Sequence, residues 1–121
     1  MLLNNFFTYT NTQREGNAIT TDIALNAGHE IFKGHFPNQP IVPGVCMMQM
    51  VKEVVEGSLA KNTKLLKADD LKFLAFVTPE QDKLIQMELK LIIDAERIKV
   101  DARMLDGATV LFKFKGMFAE K

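Results

Sequence analysis

The chain has 121 residues, with 15 Lys and Arg balanced by 15 Asp and Glu, and 47% of its residues are hydrophobic. That length supports one domain, 1–121, built on one core. The balanced charge, with no basic cluster interleaved with aromatics, excludes a nucleic-acid footprint. The single cysteine, Cys46, excludes an internal disulfide and the usual cysteine-rich zinc sites.

In chain order, the opening Met1-Leu2-Leu3-Asn4-Asn5-Phe6-Phe7 carries no cationic n-region and no sustained apolar run, so no secretory signal is expected. No segment approaches the roughly 18 apolar residues of a membrane span, and a cytoplasmic protein is expected. Phe6 to Asn11 reads as the hairpin partner of a strand over 17–26, in which Ile19, Thr21, Ile23 and Leu25 share one face. A loop over 27–42 follows.

From Pro43 to about Lys61 the pattern is helical. Val45, Cys46, Met47, Met48, Met50 and Val51 leave little polar surface in its first half, which predicts burial. Lys52, Glu53, Glu56 and Lys61 make the second half polar. Beyond residue 66 the period becomes 2. Leu71–Val77 is expected as a strand ended by Thr78-Pro79. Ile85 to Ile93 and Ile98 to Met104 alternate apolar with polar, and Asp94-Ala95-Glu96 turns the chain between them. Asp106-Gly107 is a hairpin turn, after which Val110, Phe112, Phe114 and Phe118 alternate with lysines. Long strands with one apolar face need a cover, and only one helix is long enough to supply it. The expected fold is therefore α+β, an antiparallel sheet wrapped around one long central helix.

The densest local signal is Gly34-His35-Phe36-Pro37-Asn38-Gln39-Pro40-Ile41-Val42-Pro43-Gly44-Val45. Three prolines fix backbone angles and remove donors, so they hold a loop in one shape and place the histidine it carries. Pro43-Gly44 then opens the helix, whose first amides have no partner within it. A titratable base beside a helix N-terminus suits abstraction of a proton and stabilisation of the resulting oxyanion. Gln49 on an otherwise apolar helix needs partners, because a buried amide without them is costly. Positions four apart share a helix face, which puts Glu53 about 6 Å further along it. Cys46 reads as a small core residue, His29 as a structural or solvated loop residue, and Met47, Met48 and Met50 as adaptable lining. Lys61, Lys64, Lys67 and Lys72 read as a solvated face with Asp69 and Asp70, or as a meeting point for an acidic carrier protein.

This order of elements, with Ile31-Phe32-Lys33-Gly34-His35-Phe36-Pro37, Pro40, Pro43-Gly44-Val45, Lys72-Phe73 and Val77-Thr78-Pro79, resembles the hotdog fold and, more narrowly, the β-hydroxyacyl-(acyl carrier protein) dehydratases of the FabZ and FabA type. The resemblance covers about residues 17–118. It implies that His35 takes the carbon-2 proton of a 3-hydroxyacyl thioester on acyl carrier protein. It also implies that the Gly44 amide receives the thioester oxygen, with Pro43, Val45 and Phe36 around the substrate. A carboxylate on the central helix of the other protomer then helps the 3-hydroxyl leave as water. No metal and no cofactor is called for. The resembled family forms homodimers and trimers of dimers.

One departure stands out. Where the resembled family has glutamate, five residues after the glycine of Pro-Gly-Val, this chain has Gln49, and where the family has glutamine it has Glu53. Glutamine has two amide donors but no titratable proton. Glu53 acting through Gln49 or a bridging water would restore an acid. The alternatives are a weakened subunit that forms a heterodimer with an active dehydratase, and a hotdog acyl thioesterase.

Overall fold

The computed structural model describes residues 1–34 and 40–121; His35 and Phe36 lie outside the described residues. The elements are β1 (Phe7–Glu15), β2 (Ala18–Leu25), α1 (Ile31–Gly34), α2 (Gly44–Leu59), β3 (Thr63–Phe73), β4 (Leu84–Asp94), β5 (Arg97–Asp106) and β6 (Thr109–Glu120). All strand pairings are antiparallel, in one six-stranded sheet ordered β1-β2-β4-β5-β6-β3.

The alternation in β4 and β5 produces the sheet's two faces. Ile85, Met87, Leu89 and Leu91 are buried, as are Ile98, Val100, Ala102 and Met104. Lys90, Lys99 and Asp101 face solvent between them. Cross-strand register sets Met87 opposite Met104 and Ala102 opposite Phe114, so the apolar face continues across strands. Asp106-Gly107 turns β5 into β6, with Gly107 at φ +58° as such a turn requires.

That face packs on α2, which buries Cys46, Met47, Met50, Val51, Glu53, Val54 and Val55. The apolar members recur at helical spacing, and each buried side chain of this size contributes about 1.5–3 kcal/mol. Ala60 ends the helix in the left-handed conformation, its N–H donating to the Glu56 carbonyl. The Glu56 carboxylate accepts from the Thr63 N–H at 2.6 Å, which ties the helix end to β3.

Three expectations need correction. The third strand runs Thr63–Phe73 rather than Leu71–Val77. Among the described residues it pairs only with β6, at the sheet edge, and register shifts at Leu65/Lys67 and Ala68/Asp70 break its alternation. The loop over 27–42 contains the single-turn helix α1. Val45 is 75% exposed, although the apolar run around it predicted burial; it lies on the outward stripe of α2 with half-buried Met48 and Lys52.

Among the described residues no helix is long and apolar enough to cross a membrane.

Candidate active site

The start of α2 is built by its neighbours. Pro43 caps it with φ −61° and ψ 143°, and its carbonyl accepts from the N–H groups of Cys46 at 3.0 Å and Met47 at 3.3 Å. Among the described residues, neither the Gly44 nor the Val45 N–H has an acceptor. Two open N–H groups at the positive end of a 16-residue helix suit an oxygen carrying developing negative charge. The approach to the cap is fixed by the buried Val42, whose N–H donates to the Val77 carbonyl at 2.7 Å.

Gly44 has a specific steric reason. A Cβ there would stand 2.6 Å from Cζ of Phe73. The Phe73 ring lies against the helix start and stacks on Phe112, with centroids 5.2 Å apart. Close approach of an aromatic ring to the backbone at the cap is thus available only to glycine.

One turn further, polar side chains gather on α2. Gln49 Nε2 donates to Glu53 Oε2 at 2.9 Å. Glu53 is only 2% exposed. Its carboxylate also accepts from the Leu2 N–H, at 2.9 Å to Oε2 and 3.1 Å to Oε1, and from the Leu3 N–H at 2.8 Å to Oε1. No buried side-chain polar atom among the described residues lacks a partner. The structure therefore brings Gln49 and Glu53 into direct contact on the helix that begins at Gly44. The two main-chain donors from the N-terminal segment carry no side-chain signature, and nothing in the sequence pointed to them.

The remaining candidates separate cleanly. Cys46 is buried, and burial pushes its thiol above the usual 9.0, which removes it from nucleophilic chemistry near neutral pH. Met47 and Met50 are core residues, and Met48 is half-buried. His29 is structural: its Nδ1 accepts from the Ile31 N–H at 3.1 Å at the start of α1, and its ring meets Phe6 edge-on at 5.3 Å. Lys67 pairs with Asp69 at 3.1 Å, and Lys72 with Asp70 at 3.8 Å, on the exposed surface. The described residues contain no cluster of His, Cys, Asp and Glu able to hold a metal.

An antiparallel sheet packed on one long helix is the hotdog fold, the class to which this chain belongs. The chain belongs to the ApeI-like dehydratase family, whose sequence model matches residues 11–112. It is similar to the 3-hydroxyacyl-(acyl carrier protein) dehydratase FabZ of Histophilus somni, with 32% identity over 93 residues, 73% of this chain and 61% of that protein. The FabZ of Rickettsia akari is 29% identical over 73 residues, 57% of this chain and 50% of that protein. The matched stretches thus cover 50% and 61% of these relatives' lengths. Among solved structures, the dehydratase heterocomplex ApeI:P from Xenorhabdus doucetiae superposes with a TM-score of 0.74 at 16% identity, covering 92% of this chain and 96% of that one. At that identity the likeness shows the shared fold.

Proposed function

We propose that this protein eliminates water from a 3-hydroxyacyl chain carried on acyl carrier protein, giving the trans-2-enoyl thioester, in fatty-acid or related polyene synthesis. The observation that carries this reading is the start of α2: two N–H groups without acceptors among the described residues, immediately after the proline-framed loop that bears His35. In this reading the thioester carbonyl docks on the Gly44 amide, among Pro43, Val45 and Phe36. His35 removes the proton from carbon 2, and the electron pair forms the carbon 2–carbon 3 double bond. The carbon 3–oxygen bond breaks, and the departing hydroxyl takes up a proton and leaves as water. Gln49 holds that hydroxyl. Glu53, in contact with Gln49 at 2.9 Å, supplies the proton through a bridging water, because glutamine has none to give. No metal or redox cofactor enters this reaction.

The exposed edge supports assembly. β3 lies at the end of the sheet, and Leu71, Phe73, Leu74 and Phe76 are 40%, 50%, 51% and 80% exposed. An open strand edge with that much apolar surface calls for a partner. A second copy of the chain fits it, as a homodimer or a trimer of dimers in the cytoplasm. The same edge would serve a sister subunit, and ApeI:P of Xenorhabdus doucetiae is itself a dehydratase heterocomplex. That second reading makes this chain the weaker partner of an active dehydratase.

The test is product analysis with the unaltered protein. A 3-hydroxyacyl-(acyl carrier protein) substrate is expected to yield enoyl thioester without release of free carrier thiol; thiol release would mark a thioesterase and overturn the proposal. Glu53→Gln is expected to slow turnover by about 10²-fold, the low end of what general acid catalysis contributes. Unchanged turnover would remove Glu53 from the proton path.

A further inference from the structure

We infer that Glu53, itself anchored by the main-chain N–H groups of Leu2 and Leu3, fixes the direction of the Gln49 amide, so that Gln49 offers its carbonyl oxygen to the substrate and selects a 3-hydroxyacyl chain over a 3-oxoacyl chain. This rests on the proposed function, in which Gln49 faces carbon 3 of the acyl group.

A side-chain amide has one accepting end and one donating end, and rotation by half a turn exchanges them. Here the choice is imposed. Both oxygens of its neighbour Glu53 already accept main-chain N–H groups, and Gln49 Nε2 lies 2.9 Å from Oε2. Turning the amide over would set oxygen against oxygen at that distance inside the core, where Glu53 is 2% exposed. Glu53 cannot turn away to relieve the clash. Oε1 is held by the Leu3 N–H at 2.8 Å and Oε2 by the Leu2 N–H at 2.9 Å. The N-terminal segment, although outside the catalytic loop, thus sets the polarity of the group that meets the substrate.

An oxygen at that position accepts a hydrogen bond from a 3-hydroxyl. It has nothing to accept from a 3-carbonyl, which has only lone pairs to present. Leaving such a pair unmade in a desolvated site disfavours the 3-oxo ligand by about tenfold. Glu53 is therefore a positioning residue for substrate choice, in addition to its part in the proton path.

The near-isosteric Glu53→Gln change reverses this logic. At the Oε1 position its carbonyl would keep the Leu3 donor and the longer Leu2 contact at 3.1 Å, its NH₂ would take the Oε2 position facing Gln49, and Gln49 would turn over to present NH₂ to the substrate. The experiment measures binding of 3-hydroxybutanoyl and 3-oxobutanoyl pantetheine in a His35→Ala background, where neither ligand should react, with and without Glu53→Gln. The expected result is an about tenfold preference for the 3-hydroxy ligand that is lost or inverted by Glu53→Gln. An unchanged preference would overturn the inference while leaving the dehydratase reading intact. Water elimination persisting in the His35→Ala background would instead overturn that reading, and the inference with it. Should Glu53→Gln fail to fold, the unaltered protein still decides. NMR should show a nuclear Overhauser contact between the Gln49 side-chain NH₂ and the Leu2 amide hydrogen, and its absence would contradict the stated orientation.

Discussion

The central strands β4 and β5 and the edge strand β3 belong to one sheet, yet they obey different rules. In β5, Ile98, Val100, Ala102 and Met104 are each at most 2% exposed, and every second residue between them is polar. In β3 only Thr63 is buried, while Leu65, Leu66, Leu71 and Phe73 are 40–50% exposed. The first pattern is completed inside one chain. The second leaves apolar surface uncovered, and it does so next to the start of α2, where Phe73 lies against Gly44. Stability and the candidate site thus draw on different parts of the sheet: the buried face lies at the centre, and the uncovered apolar surface lies beside the start of α2.

The sharpest way to test that division is to damage the centre. Met104→Ala truncates a fully buried side chain on β5, and should cost about 2–5 kcal/mol of unfolding free energy in a urea titration. A loss below about 1 kcal/mol would show that the centre does not carry the fold. Next in size is Gly44→Ala. Its added Cβ meets the Phe73 ring and forces it to move, which should cost about 1–3 kcal/mol and weaken thioester binding together. Phe76→Ser should do the reverse of Met104→Ala. Single-chain stability should stay within about 0.5 kcal/mol while sedimentation shows dimers giving way to monomers. An assembly unaffected by this change would place the interface elsewhere.

The smallest effect concerns Cys46. Burial raises its thiol above 9.0, so above that pH the unfolded chain releases a proton that the folded chain retains. The folded state then binds more protons, and its stability falls as pH rises. Cys46→Ala should flatten that alkaline decline, measured by thermal unfolding between pH 8 and 10 against the unaltered protein, with the stretch above about 9 being the informative one. An identical decline in both proteins would assign it to other groups.

The same contrast explains what the sequence reveals. β4 and β5 are legible because burial on one face enforces period 2. α2 is legible because its buried stripe enforces helical spacing. β3 is misread because two register shifts and an edge position remove any buried face to write a pattern. Val45 is misread for a related reason: apolar character predicts burial, but Val45 lies on the outward stripe of this helix and is 75% exposed. The contact between Gln49 and Glu53 follows from four-residue spacing, whereas the Leu2 and Leu3 amides that hold Glu53 leave no trace in side-chain pattern. His35 and Phe36 are the strongest sequence signals and lie outside the described residues.

In the proposed reaction His35 removes a carbon-2 proton while the amides at the start of α2 hold the thioester oxygen. Its most direct measurement is the rate of enoyl thioester formation from a 3-hydroxyacyl-(acyl carrier protein) by the unaltered protein and by His35→Ala. The expected result is a drop of about 10²–10⁴-fold with folding unchanged. Equal rates in the two proteins would contradict it.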